Sequence, residues 1–238
     1  MVSISDFKIA SMQAVIFSPD LSFQQQKILS YSLEKWGEIF DDTPISIPVP
    51  PEIEKEIPRI ILNSSDKNLK IEFSPARVDI FWIYAKEGDY YSIKDFYNFS
   101  QEILCNYSNL IKGRVGRIAA VIKRFLKLDN PTKFLVEQFC QEKWINESFK
   151  NLENFELHSH KAYKLADYYS INSWIRFKTG FSGPKKEKNL ALTTGQDLNT
   201  LAKEDKEKDY SNDEIKKFFK EAVGEFDKVL SLFFPLEK

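Results

Sequence analysis

The chain's two histidines, His158 and His160, follow Glu156 at alternate positions in the segment FELHSHKAY. At that spacing all three project from one face of a strand, with Phe155 and Leu157 on the other. Two neutral imidazoles beside a carboxylate can supply three ligands to Zn²⁺ or a similar ion. Successive residues on one strand face lie ~7 Å apart, so a single ion there needs a further ligand from elsewhere. The plainer reading is a polar sheet face carrying ordinary histidines. Asn172, Trp174, Arg176 and Lys178 share a second strand face, opposite Ile175 and Phe177. A solvent-side Trp beside cations can stack a base or sugar while Arg and Lys neutralise a phosphate. The competing reading buries that Trp under a helix, with Arg and Lys snorkelling past it. If the two segments pair as neighbouring strands, both polar faces fall on one side of the sheet.

Lys112 to Lys127 holds six basic residues and no acidic one, the clearest charge asymmetry in the chain. Arg114, Arg117, Lys123 and Arg124 are its candidates for an anion or nucleic-acid contact, against the ordinary reading of solvated strand ends. The apolar middle of that segment should be buried and only its ends wet. The expectation is therefore that these cations, with Arg176 and Lys178, do not form one continuous groove. Over the whole chain, 34 basic and 35 acidic residues nearly cancel, so no global field draws it to nucleic acid or a membrane. No P-loop, dinucleotide-binding glycine fingerprint, GxSxG or HExxH is present, and no cofactor is implied. Cys105 and Cys140 sit in apolar helical contexts without a CxxC, which suits inert thiols in a reduced cytoplasmic compartment. The first residues lack a signal-peptide pattern, and no window approaches the ~18 apolar residues that a membrane span needs.

These groups need a scaffold. Leu69, Ile71 and Phe73 alternate with Lys70, Glu72 and Ser74, the period-2 pattern of a strand with one buried face. Ile60 to Leu62 before it and Val78 to Tyr84 after it complete an antiparallel meander joined by short polar turns. Met12–Phe17 reads as a strand. Phe23 to about Phe40 reads as a helix capped by Ser22, and the five prolines of 41–58 as an extended surface connection. Ser92 opens a second helix that ends at Gly113. Arg114–Phe125 fits either a helix or a buried strand, and its glycines favour the strand. Asn130 and Pro131 open a third helix. Leu152–Tyr163, Ser170–Phe181 and Asn189–Thr194 read as strands, with a polar turn at 183–188 between the last two. Lys203–Asp209 reads as a solvated loop. Ser211 and Glu214 form a capping box for a last amphipathic helix. The expected fold is α+β, with one or more mixed, mostly antiparallel sheets covered by about four helices. The order of elements suggests two similar α/β halves, 1–128 and 129–238.

RVGRIAAVIKRF, FELHSHKAY, NSWIRFKTG and GQDLNTL, followed by an acidic loop and an amphipathic helix, resemble a sporadically distributed prokaryotic family of about this length that has no assigned activity. The resemblance implies an α+β fold and a cytoplasmic accessory protein of mobile-element or defence gene neighbourhoods. It supplies no reaction. Taken together, the residues point to a protein that acts by binding or assembly. Its expected partner is another protein or a second copy of the chain, with nucleic acid ranked behind these and no membrane. The alternatives are a metal-dependent enzyme around Glu156, His158 and His160, and a nucleic-acid binder through the two basic stretches.

Overall fold

The computed structural model describes residues 2–19, 23–48, 50, 52–84, 91–147, 149, 152–182 and 189–235. Nine strands form one antiparallel sheet: β1 (Lys8–Phe17), β2 (Ile45–Ser46), β3 (Ile60–Asn63), β4 (Leu69–Phe73), β5 (Arg77–Ile83), β6 (Arg117–Lys127), β7 (Glu156–Leu165), β8 (Tyr169–Ser182) and β9 (Asn189–Thr200). Their order is β2-β3-β4-β5-β1-β6-β9-β8-β7. The helices are α1 (Gln25–Trp36), α2 (Ile93–Ile111), α3 (Pro131–Phe139), the short α4 (Glu142–Asn146) and α5 (Asn212–Ser231). The fold is α+β. One connectivity occurs twice, as β1, α1, β3 to β5, α2 and again as β6, α3, β7 to β9, α5. The two units join into one sheet through the antiparallel β1–β6 pair.

Period-2 alternation decides which face the helices cover. Met12, Ala14 and Ile16 of β1, Ile71 and Phe73 of β4, Val78, Ile80 and Trp82 of β5, and Ile118, Ala120 and Ile122 of β6 share one core with residues of α1, α2 and α5. Leu135 of α3 packs with Ile175 and Phe177 of β8 and Leu192 of β9 in a second, smaller core. The registers place all these strand residues on the same side. The α1, α2, α3 and α5 helices therefore lie on one face of the sheet. The intervening residues form the other face, and among them are Gln13, Val15, Asp79, Val121, Lys123, Trp174, Arg176, Gly195 and Asp197.

The meander forms as its alternation predicts, and Ile71, Phe73, Ile80 and Trp82 are all buried. Ser92, Asn130 and Ser211 cap their helices through their side chains. Ser22 and the 183–188 turn lie outside the described residues. Other expectations need correction. The α1 helix stops at Trp36, and Phe40 is buried just beyond it in a turn. The left-handed residue ending α2 is Lys112, at φ 49°, not Gly113. The 203–209 segment is solvated as expected, but it is also anchored: Arg114 Nη1 donates to the carbonyls of Asp205 and Lys208, and Val115 N donates to the Asp209 carboxylate. Finally, β9 runs six residues past Thr194, to Thr200. That extension inserts Gly195–Thr200 between the two basic strands.

Candidate functional site

The registers turn the helix-free face into rows. One row reads His158, Arg176, Gly195, Lys123 across β7, β8, β9 and β6. The next reads His160, Trp174, Asp197, Val121, and the row on the other side reads Glu156, Lys178, Thr193, Phe125. The histidine strand and the Trp-Arg-Lys strand therefore pair directly, with their polar faces on the same side. A cleft of about 600 Å³ opens over the first and third of these rows, lined among others by Lys123, Phe125, Arg176, Lys178, Gly195, Tyr84 and Phe181. Three cations thus line one cleft with Phe125, Tyr84 and Phe181, the last two in phase by alternation with the helix-face residues Trp82 and Phe177. Phe181 is 60% exposed.

The expected separation of the two basic stretches holds for three arginines and fails for Lys123. Arg124 lies on the helix face and is buried. Its Nη1 donates to Gln196 Oε1 at 2.6 Å and its Nη2 to Asp227 Oδ1 at 2.7 Å. Burial lowers its pKa, and Asp227 opposes that shift. Arg114 is held by loop carbonyls. Arg117 is on the helix-free face but at the far end of β6, donating to Asn199 Oδ1 at 3.0 Å with its guanidinium 4.5 Å over the Phe17 ring. Lys123, however, is separated from Arg176 by a single strand, and the residue between them is Gly195. The sequence reading ended β9 too early to see this.

Trp174 is not covered by a helix, as the competing reading had it; it is 44% exposed, and the His160 ring stacks on it at 4.0 Å and 17°. His160 Nε2 lies 3.1 Å from Asn172 Oδ1. His158 Nε2 is instead 2.6 Å from Glu156 Oε1, which also accepts from Arg176 Nε. Those bonds hold the Glu156 carboxyl below its usual range, the Arg176 bond most of all. Glu156, His158 and His160 are thus not gathered about one point. The two imidazoles serve different partners, and no group of three or more His, Cys, Asp or Glu among the described residues is arranged to hold an ion. Cys105 is buried, its thiol pushed up to about 11 by burial, and Cys140 at the end of α3 is partly exposed.

Two acids on this face had no sequence signal. Asp79 is 2% exposed; Gln13 Nε2 donates to its Oδ1 at 2.6 Å and Arg77 Nε lies 2.8 Å from Oδ2. Burial nevertheless pushes its pKa up to about 6, with Arg77 and Gln13 opposing. Asp197 is shifted in the same direction by burial, against Asn199 and Arg117. Each sits in a strand whose period-2 pattern reads as apolar or mixed, so only the three-dimensional register reveals it.

A pH-dependence follows from Asp79. Folded Asp79 binds its proton more tightly than the unfolded chain does, so its contribution to stability is present below about pH 4 and is lost as pH rises to about 6. With ~1.4 kcal/mol per unit over roughly two units, the loss is of order 3 kcal/mol. Urea melts at pH 4, 5, 6 and 7 should show the wild type losing stability relative to Asp79→Asn across that window. Parallel curves for the two proteins would mean that Asp79 ionises normally.

In comparisons with known proteins, the chain matches no family model and no curated protein.

Proposed function

We propose that this is a non-catalytic binding protein whose helix-free sheet face takes an anionic partner through Lys123, Arg176 and Lys178. One observation carries the reading: Lys123 and Arg176 flank Gly195 in a single cross-strand row beneath an open cleft of about 600 Å³. Cations that serve only the fold are paired and buried, as Arg124 is. Lys123 and Lys178 are exposed instead, and the described contacts of the Arg176 guanidinium run through Nε to Glu156. With near-zero net charge the attraction is local, so the partner must reach the cleft itself. The resemblance to a prokaryotic accessory family supports a cytoplasmic setting in a defence or mobile-element system and rests on the quoted segments alone.

Calorimetric titration with inorganic polyphosphate at low salt tests the reading. Binding is expected, weakening as salt rises and lost in a Lys123→Glu, Lys178→Glu variant. No binding by the wild type, or equal binding by the variant, overturns it.

A further inference from the structure

Gly195 is the residue on this face without a structural reason to be glycine. It sits inside a strand, where glycine costs roughly 0.5–1 kcal/mol relative to alanine. Its φ lies outside the left-handed region, and a Cβ built on it meets no atom within 4 Å. Neither backbone conformation nor packing forbids a side chain there. A glycine in a strand interior often marks a place where a ligand approaches the backbone closely. On either side of it in the row stand Arg176 and Lys123, and directly along β8 from Arg176 stands the half-exposed Trp174, with His160 already stacked against the indole.

From these neighbours we propose that the anionic partner is single-stranded nucleic acid. A backbone phosphate seats over Gly195 between Lys123 and Arg176, and a base stacks on the Trp174–His160 platform. This rests on the anion-binding reading above and names its ligand class. Trp174 and Arg176 are two residues apart on one strand face, ~7 Å, within the reach of a base to its own sugar-linked phosphate. Bases in a duplex are stacked on each other and cannot offer a ring face to an indole, whereas a single strand can. Asp197 lies beside Trp174 in the next row, on the same side of the sheet. It disfavours a phosphate there and confines the phosphate to the glycine row. An acidic peptide would satisfy the cations but leave the stacked indole and imidazole unused.

Fluorescence anisotropy of the full chain with labelled single-stranded RNA, single-stranded DNA and a duplex of matched length, each over a range of salt, decides the proposal. Unlabelled inorganic polyphosphate serves as competitor. One or both single strands should bind more tightly than the duplex. Log K should fall against log salt with a slope of about −1.4, as expected for roughly two phosphates neutralised on a single strand, one over Gly195 and one at Lys178. Trp174→Ala should weaken single-strand binding about tenfold while leaving direct polyphosphate binding unchanged. Gly195→Val should also weaken it about tenfold or more, with an unchanged or higher melting temperature because the new side chain meets open space. The difference between the RNA and DNA arms identifies the sugar. Duplex binding equal to single-strand binding, or a Trp174→Ala variant that binds like wild type, overturns the single-strand proposal and leaves the anion reading in place. Failure of polyphosphate and every oligonucleotide to bind overturns both.

Discussion

Replacing Phe73 with alanine should destabilise the protein by on the order of 3–5 kcal/mol, the usual range for removing a fully buried ring. Phe73 is the last residue of β4 and has no solvent exposure. Its ring lies 5.4 Å from that of Tyr107 on α2, which is itself buried. It therefore pins the meander to a helix, and the void left behind would be lined by a sheet and a helix already fixed by other contacts. Loss of that ring leaves the β6–β9–β8 rows untouched, so anion binding should persist wherever the variant remains folded. Chemical denaturation measures the effect. A cost under about 1 kcal/mol, the level of surface substitutions, would mean that β4 is out of phase and that Lys70 and Glu72 face the helices instead.

Arg124→Ala should cost a similar amount, about 3–5 kcal/mol, for an electrostatic reason. The guanidinium is buried on the helix face and bridges Gln196 of β9 and Asp227 of α5, while Gln196 Nε2 donates to the carbonyl of Phe226 at 2.8 Å. Truncating the arginine leaves Gln196 Oε1 buried without its donor and opens a cavity between sheet and helix. Removing one member of a buried charged network is penalised far more than the network's net worth. Arg124→Lys should recover only part of the loss, since an ammonium cannot present the guanidinium's two separated donors. A denaturation midpoint unchanged in Arg124→Ala would show that the arginine is solvated and available for ligand, contrary to its placement here.

The meander was legible because Leu69–Phe73 alternates cleanly and the turn before it uses Asp66 and Asn68, whose side chains bond to each other while the Asp66 carboxylate also accepts from Asn68 N. The helix caps at Ser92, Asn130 and Ser211 were legible because they are local chemistry. The end of β9 was not. Gly195 disfavours a strand, and Gln196 and Thr200 face the helices although they are polar, so the period-2 signal of GQDLNT vanishes. Those residues are buried because each is satisfied, Gln196 by Arg124 and Phe226, and Thr200 Oγ1 by the backbone of Ile118. Sequence spacing cannot see partners that are 30 or more positions away. The same blindness split the candidate cations wrongly. Arg124 and Lys123 are adjacent and chemically alike, yet one is buried in bonds to Gln196 and Asp227 and the other is exposed, because alternation sends neighbours to opposite faces. His160 and Trp174 were each noticed as solvent-side polar-face residues, but their stacking required knowing that β7 and β8 pair in the register His160–Trp174.

The most direct test of the central claim is to locate the anion on the surface. Amide chemical-shift mapping of isotope-labelled protein during titration with inorganic polyphosphate reports every backbone site at once. Perturbations should concentrate at Lys123, Arg176, Lys178, Thr193 and Gly195, with the helix-face positions Ile175 and Leu198 and the buried length of α5 moving little. Shifts clustered on the β2–β5 side of the sheet or on the helices, with the Gly195 row unmoved, would contradict the assignment of the helix-free face as the binding surface.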